Sequence, residues 1–443
     1  MTIEPRRLTT AAETALAVRF AARDFSGEPA ALAERRRAAF TAFGATGLPN
    51  RRVEAYRYTD LKAALPDLAA APAAAVVPAG RVWDFGGLAA HRAVFVDGRF
   101  DAGLSDLSGL DGAVTVRRLS EAGFAGVGTL AGELSGTGGD PVVQLNTALF
   151  DDGVVVDVAA GASVSQPLAI VHVASGAPVC GFSRHVVRVG AGASVRVIEH
   201  HSGPDGVAYQ ASSLVELDIA RQARVLWTRL QEDGHQAVSL GGAAIRLGEG
   251  AELQSLSVVF GGLLSRNQGV VHFAGPHARA VFETVTLVDG RRLADATLTV
   301  DHDVPDCTSR ERFRAVIDDA ARSVVQGRIE VAQDAQRTDG RMMTQALVIG
   351  AQAEAINKPE LEIFADDVQC AHGATSGRLD ENAVFYLRSR GVPKAEAEAL
   401  LLEAFLAESI ESFADEAVAA VLSQRLRALL AGRRARGTIG EAA

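Results

Sequence analysis

A short turn recurs through the middle of the chain at nearly constant spacing, and this recurrence constrains the fold more than any other feature. Each turn carries small or polar residues and is flanked by strand-like segments. A strand-turn-strand unit of 26 to 31 residues is too short for a sandwich and lacks the intervening helices of an α/β fold. The repeat therefore predicts the stacked coils of a parallel β-solenoid. The turns begin at Gly161, Gly192, Gln222, Gly250 and Pro276.

Valine-rich runs with an apolar residue at every second position fill residues 82–349. Such alternation is typical of strands, and the general preference of β crossovers predicts a right-handed parallel β-helix. We expect Val, Leu and Ile inside, small residues at the corners, and no helix longer than about two turns within the coils. A two-sheet antiparallel sandwich remains the alternative architecture.

Helical patterns on both sides of this region divide the chain into three parts. Residues 1–80 form an N-terminal helical region, with a capping box from Thr10 to Glu13 before a helix over 11–25. A second helix is predicted over 28–43, ended by Gly44, and an Ala/Pro-rich linker over 68–80 leads to the core at 81–350. Residues 351–443 are predicted to form a C-terminal helical domain.

Two helices are expected at the start of the C-terminal domain. Asp380 is placed to cap a helix over 381–390, and Pro393 begins the next helix, which runs to about residue 413. The apolar stripe of that second helix includes Leu401, Phe405 and Ile410 and is wider than a lone surface helix requires. We therefore predict that this stripe contacts both its own domain and a partner.

Composition excludes several classes of protein. Hydrophobic residues are 48% and charged residues 22% of the chain, with no apolar run long enough to span a bilayer. The first residues lack the features of a secretory signal, so a cytoplasmic protein is expected. A net charge of -10 argues against a general nucleic-acid binder.

The basic segment 47–61, with its two tyrosines, has two interpretations. It could be an RNA-contacting arm or a connector whose tyrosines pack on the next domain, and we favour the connector.

Few residues carry recognisable chemistry. The phosphate loop, the GxSxG elbow, the HExxH motif and the dinucleotide fingerprint are all absent from the sequence. Histidines occur at 200 and 201, at 272 and 277, and between two aspartates at 302, and they could be metal ligands. Isolated histidines on solenoid strands are more often core or surface residues, which is the interpretation we favour. Cys180 and Cys307 are predicted to be buried.

Cys370 and His372 are the strongest candidates for metal ligands. On an extended strand, residues i and i+2 share one face, so both side chains could approach one ion. Two protein ligands do not close a tetrahedral site, however. The pair alone is therefore a weak signal.

The run from residue 357 to 391, NKPELEIFADDVQCAHGATSGRLDENAVFYLRSRG, strengthens this interpretation. It closely resembles the signature of the SufB/SufD family, the scaffold proteins of SUF iron-sulfur cluster assembly. The resemblance continues through EALLLEAFLAESIE and includes GLPNRRVEAYRYTDL near the N-terminus. The family has an N-terminal helical region, a right-handed parallel β-helix core and a C-terminal helical domain, which is the order expected here from composition and repeat spacing.

Three positions resemble the SufD branch of the family rather than the SufB branch. Gly373 follows the histidine where SufB-type sequences usually have glutamate, and Leu387 and Thr344 lie where they tend to have cysteine. The resemblance implies that His372, with Cys370 as a less certain participant, contributes to a cluster site at a SufB-SufD interface. It also implies that the C-terminal helical domain, including Leu401, Phe405 and Ile410, binds SufC, an ABC-type ATPase.

The resemblance further implies a scaffold subunit and not an enzyme. It would bind no cofactor stably alone, would share a transient iron-sulfur cluster with SufB, and would meet ATP only through SufC. Homodimer formation by the isolated chain, flavin binding by the complex, cluster nuclearity and the recipient proteins stay open.

Two other functions remain as alternatives. A β-solenoid carbohydrate enzyme with paired carboxylates would need an aromatic-rich groove, and aromatic residues are 5% of this chain. A purely structural module would leave Cys370 and His372 without a metal.

Overall fold

The structure is a computed structural model, and it describes residues 9–65, 70–72, 77, 82, 85–110, 112–124 and 139–435. The first helices are α1 (Ala11–Ala21), α2 (Ala30–Thr46) and α3 (Leu61–Ala64), with a short 3-10 turn at Glu54–Tyr56 between the last two. Helix α4 (Pro141–Leu149) precedes the coils. The C-terminal helices are α5 (Glu381–Ser389), α6 (Lys394–Glu411) and α7 (Glu416–Ala435).

Nineteen strands occupy the described residues between these helical regions, and most of them are eight to ten residues long. They are β1 (His91–Val96), β2 (Arg99–Phe100), β3 (Val114–Arg118), β4 (Val154–Val158), β5 (Leu168–Val173), β6 (Cys180–Val189), β7 (Ser194–Ser202), β8 (Gln210–Ile219), β9 (Arg224–Glu232), β10 (Val238–Leu247), β11 (Glu252–Val259), β12 (Leu264–Phe273), β13 (Arg279–Val288), β14 (Leu293–His302), β15 (Thr308–Ile317), β16 (Arg322–Val331), β17 (Asp339–Val348), β18 (Glu354–Ile363) and β19 (Gln369–Gly377).

The strands form two sheets that run the length of a parallel solenoid. Odd-numbered strands from β5 to β19 make sheet A, and even-numbered strands from β4 to β18 make sheet B. Each successive coil adds one strand to each sheet, so β4 to β19 make eight coils. From β4 to β19, every strand pairs in parallel with the strand one coil away, which excludes the antiparallel sandwich. The predicted β-solenoid between helical flanks is confirmed.

Antiparallel pairing is found at the start of the solenoid. Strand β1 pairs with β2, and β3 pairs with β4, before the regular coils begin. These short strands extend both sheets by less than a full coil.

The solenoid interior is built from alternate residues of both sheets, as the period of two predicts. Residues such as Val187 and Val189 of β6 and Val195 and Val197 of β7 face inward, and all four are buried. Stacking repeats this pattern from coil to coil, so one continuous apolar core connects the coils.

One corner of each coil repeats a left-handed residue followed by a small buried one. Gly161, Gly192 and Gly250 have φ between 61° and 72°, which glycine adopts without steric cost. The equivalent residue in the following coil is His277, with φ 62°, so the motif there begins one residue later than the predicted Pro276. The small-residue column contains Ala193, Ala223, Ala251, Ala278 and Cys307.

The N-terminal helices cover the outer face of sheet B. The predicted capping box is present, since Thr10 Oγ1 accepts a hydrogen bond from Glu13 N and the Glu13 carboxylate accepts one from Thr10 N. Helix α2 extends past Gly44 and ends at Thr46, where Gly47 follows as the C-cap with a φ of 67°. Most of the predicted linker at 68–80 lies outside the described residues.

Helix α4 was not predicted. Asp140 caps its N-terminus and Pro141 occupies its first turn, and it packs on the outer face of β6 and β8. The helix lies before the first coil, so the coils themselves have no long helix within the described residues.

The C-terminal helices α6 and α7 cover the outer face of sheet A. Leu402, Leu406 and Leu422 are buried against strand residues such as Val258 and Val285. The coils end at Gly377, beyond the predicted core boundary at 350. The prediction stopped too early because the last coil lacks the valine-rich alternation of the others. Among the described residues, no helix is long and apolar enough to cross a membrane.

Candidate metal site on the last coil

Cys370 and His372 lie on β19, the edge strand of sheet A. Their partners on β17 are Gly340 and Met342, and the Met342 side chain is buried in the solenoid core. Cys370 also packs on this core, so the two candidate ligands share the inward face of the strand. The extended conformation that the sequence analysis required is therefore present.

The end of the solenoid leaves this face open to solvent. His372 is exposed and Cys370 is half-buried, although the corresponding residues of earlier coils are buried. In the described part of the chain, β19 pairs only with β17, and β18 pairs only with β16. Both sheets therefore present a free strand edge here.

The environment of Cys370 favours the neutral thiol. Burial raises its pKa, and Asp339 and Glu311 act in the same direction, whereas a backbone hydrogen bond from Gly340 opposes them. A metal ion binds the thiolate, so binding would release this proton. No third ligand completes a cluster of three with Cys370 and His372 among the described residues.

The three positions that distinguish the SufB and SufD branches lie near the last coil or on α5. Gly373 follows His372 on β19, and a Cβ there would lie 3.1 Å from the Met343 side chain. Thr344 of β17 is buried and pairs with Ala374 of β19, and Leu387 lies on α5. None of the three supplies a thiolate or a carboxylate.

The predicted partner stripe on α6 largely faces the chain itself. Ile410 is fully buried in the core between α6 and sheet A, so it is unavailable to a partner in this fold. Phe405 is half-buried under the Arg314 guanidinium, and Leu401 is half-buried. The stripe is wide because the helix covers a broad sheet face.

Exposed aromatic side chains lie instead on α5, which has no buried residue. Phe385 is 72% exposed and Tyr386 is 54% exposed. They were not predicted, because the predicted partner residues lie on the following helix, α6.

Cys180 and Cys307 are buried, as predicted. Burial raises the pKa of Cys180 to about 12 and that of Cys307 to about 11, so both are thiols at neutral pH. Cys307 occupies the small-residue column at the corner of the coils, where alanine lies in the neighbouring coils.

The histidine candidates separate into different environments. His272 Nδ1 lies 2.8 Å from Asp303 Oδ2, whereas His277 is at an exposed corner. His302 faces inward and stacks on Phe273 with ring centroids 4.3 Å apart. His201 is buried beside Glu199 and His172, and His172 was not among the predicted candidates.

Segment 47–61 packs on the solenoid, which supports its interpretation as a connector. Tyr56 is buried, its hydroxyl donates to Asp140 Oδ2 at 2.6 Å, and the Arg266 guanidinium lies 4.2 Å from its ring.

Comparisons with known proteins agree with these features. Residues 172–405 match the SufBD core domain of SUF system FeS cluster assembly, and residues 23–170 match the SufBD protein N-terminal region. The iron-sulfur cluster assembly protein SufD of Escherichia coli is 29% identical over 394 residues, 86% of this chain and 90% of that protein. An iron-sulfur cluster assembly SufBD family protein of Synechocystis is 29% identical over 414 residues, 90% of each chain. Because the core match alone covers more than half of the sequence, this chain belongs to the SufBD family of the SUF iron-sulfur cluster assembly system.

Proposed function

We propose that this chain is the SufD-type subunit of a SufB-SufC-SufD complex and contributes His372 to a cluster-building site shared with SufB. The observation that carries the proposal is the exposed position of His372 on the edge strand of the last coil. An imidazole beside a thiol suits iron, but two ligands leave a tetrahedral site incomplete. SufB supplies the remaining ligands, and Cys370 is the less certain participant.

The last coil suits pairing with another chain. Strands β18 and β19 offer main-chain hydrogen-bonding groups along their free edges, which a strand of a second chain can complete. Exposed apolar side chains lie on or beside this end, namely Met343, Ile363 and Phe364. SufB therefore joins the solenoid at its last coil.

The chain acts as a scaffold without catalytic activity of its own, and SufC hydrolyses ATP. The C-terminal helices dock SufC, and the exposed Phe385 and Tyr386 on α5 are the residues offered to it. Exposed aromatic side chains are typical of a protein interface. The cluster is transient cargo at the shared site, and the isolated chain holds no stable cluster.

Anaerobic iron and sulfide analysis of the co-expressed complex tests the site. His372→Ala should assemble normally but lose most of its cluster, and Cys370→Ala should lose less. His277→Ala, an exposed histidine at a corner, is the matched control and should retain the wild-type cluster content. Wild-type cluster content in the His372→Ala complex would show that the residue has no role in the site.

Two phenylalanines with similar exposure separate the two proposed interfaces. Phe364 next to β18 is 62% exposed, and Phe385 on α5 is 72% exposed. Phe364→Asp should weaken co-purification with SufB and leave SufC binding intact, whereas Phe385→Asp should have the opposite effect. Point substitutions are needed because deleting the C-terminal helices would uncover the apolar outer face of sheet A. Retention of both partners by both variants would contradict the two docking assignments.

A further inference from the structure

A compact polar cluster lies inside the solenoid at the opposite end from the last coil. His172 of β5 and His201 of β7 are direct neighbours in sheet A, and Glu199 lies two residues before His201 on the same inward face. All three side chains are more than nine-tenths buried. Seven strand spacings of about 4.8 Å separate β5 from β19, so this cluster is roughly 33 Å from His372.

The donor atoms of these three residues lie close together. One ligand atom from each lies within 4.8 Å of the other two. His201 Nε2 and Glu199 Oε1 are 2.7 Å apart, a hydrogen-bond distance that would lengthen to about 3.4 Å if both atoms bound one tetrahedral ion. Ser213 Oγ of β8 completes the group, 3.3 Å from Glu199 Oε1 and 3.4 Å from His172 Nε2.

The protonation of the two imidazoles suits metal binding. Burial, and next the neighbouring histidines 201 and 185, hold the pKa of His172 well below its usual value. Burial and Arg229 do the same for His201. Neutral imidazole is the form that binds transition metals. His201 Nδ1 is buried and has no hydrogen-bond partner among the described residues, so it can accept the ring proton when Nε2 binds an ion.

The charged groups around the cluster are compatible with binding a cation. Among the described residues, the carboxyl groups of Glu199 and Asp233 lie near the histidines, and so does the guanidinium of Arg229. Arg229 Nε is 3.8 Å from Glu199 Oε2, which is too long for a hydrogen bond. The Arg229 guanidinium lies against Gly241, where the absence of a Cβ makes room for it, since a Cβ there would be only 2.6 Å from Nη2.

A small cavity borders the two histidines of the cluster, although Glu199 does not line it. It has a volume of about 30 Å³, enough for one or two water-sized occupants, and both histidines line it together with Ser183 and Ser213. The two imidazoles are stacked with an interplanar angle of 12°. The lone pairs of the two rings are therefore parallel, and one ring must rotate about χ2 before both can bind the same ion. The χ2 torsion of histidine has broad energy minima, so this rotation costs little.

We propose that His172, His201 and Glu199 form a binding site for one divalent first-row transition-metal ion inside the solenoid. Two imidazoles with one carboxylate are the donor set of open Fe²⁺ sites and of many Zn²⁺ sites. The ion replaces the proton between His201 Nε2 and Glu199 Oε1, and that proton moves to Nδ1 of the same ring. This site is independent of the last-coil pair and of its proposed function.

Cobalt binding to the full chain tests the proposal. The parent protein carries Cys370→Ala and His372→Ala, so the last coil contributes no ligand. We expect one Co²⁺ per chain, and an X-ray absorption spectrum with two imidazole nitrogens and no sulfur. His172→Gln and Glu199→Gln in this parent should each weaken Co²⁺ binding by at least about 100-fold, the upper range for loss of a supporting residue.

His302→Gln is the matched control, because His302 is equally buried but lies far along the solenoid beside Ser309. It should bind Co²⁺ as the parent does. Circular dichroism establishes that each variant is folded, and the absorption spectrum of the parent remains decisive if one is not. A parent that binds no stoichiometric ion, or whose bound ion shows no imidazole, would overturn the proposal, as would full affinity in folded His172→Gln.

Discussion

The early coils and the last coil share one backbone pattern but differ in how their side chains are covered. Nine of the ten residues of β6 are buried, whereas β19 has none. Both strands pair in parallel and in register with a neighbouring strand of their sheet. The strands therefore form because of main-chain hydrogen bonding between neighbours and because of the corner turns, whether or not their side chains are buried. A regular strand whose side chains are exposed marks a surface that another chain can cover.

The largest effect that separates these regions should come from two phenylalanines. Phe273 is fully buried and stacks on His302, whereas Phe364 is mostly exposed beside the last coil. Phe273→Ala should lower the free energy of unfolding by about 3 to 5 kcal/mol, and Phe364→Ala by no more than about 0.5 kcal/mol. Urea unfolding followed by circular dichroism measures both. Equal losses would contradict the proposed difference between the regions.

Two arginines test the same difference for ion pairs. Arg184 Nε lies 2.9 Å from Glu216 Oε1, and both side chains are buried. Arg184→Met should cost about 3 to 5 kcal/mol because a buried carboxylate loses its guanidinium partner. Arg328→Met, which removes exposed pairs with Glu330 and with Glu362 of β18, should cost about 1 kcal/mol or less. Thermal and urea unfolding of the two variants give the comparison, and a larger loss for Arg328→Met would reverse it.

Glu311 and His372 lie in the same inward column, two strands apart, yet Glu311 is fully buried. Burial raises the pKa of Glu311 to about 8 from 4.5. Between these values the folded chain keeps a proton that the unfolded chain has lost. Stability should therefore fall as pH rises from 5 to 8, by up to about 1.4 kcal/mol per pH unit from this group.

Glu311→Gln should remove that dependence, and urea unfolding at several pH values between 5 and 8 measures it. Glu252→Gln changes an exposed carboxyl on β11 and is the control that should leave the slope unchanged. A slope unaltered by Glu311→Gln would show that this carboxyl titrates normally.

A small effect is expected at the candidate site itself. His372→Ala removes an exposed side chain with little packing, so the free energy of unfolding should change by about 1 kcal/mol or less. His302→Ala, which removes a buried ring stacked on Phe273, should cost more. A strongly destabilised His372→Ala protein would indicate that the residue is structural.

The repeat made the solenoid predictable because corner geometry restricts residue type. A left-handed residue followed by a small buried one leaves a visible trace, as at Gly192 and Ala193. The last coil was missed because its strands are exposed and need no valine alternation. Helix α4 was missed although Asp140 and Pro141 are a standard helix start, since its valines resemble those of the strands around it.

The candidate ligands on β19 were predictable because they are two residues apart in sequence. The buried trio was not predicted, since its members belong to two coils. His172 and His201 are 29 residues apart, which is one coil interval, so aligning successive coils could have found the pair. Sequence alone does not show that both face inward, because that depends on which residues each strand turns to the core.

The corner column also sets how the length of this protein can change. The 28 residues from Gln222 to Glu249 form one complete circuit, with β9 and β10, between two equivalent left-handed positions. Removing all of them would bring Gly250 onto the column below Gly192 and keep every later side chain on its own face. Removing one residue within a strand would turn the rest of that strand inside out. The strands therefore tolerate changes in length only as whole circuits, whereas the turns between them vary by a few residues, as the unequal spacing of the corners shows.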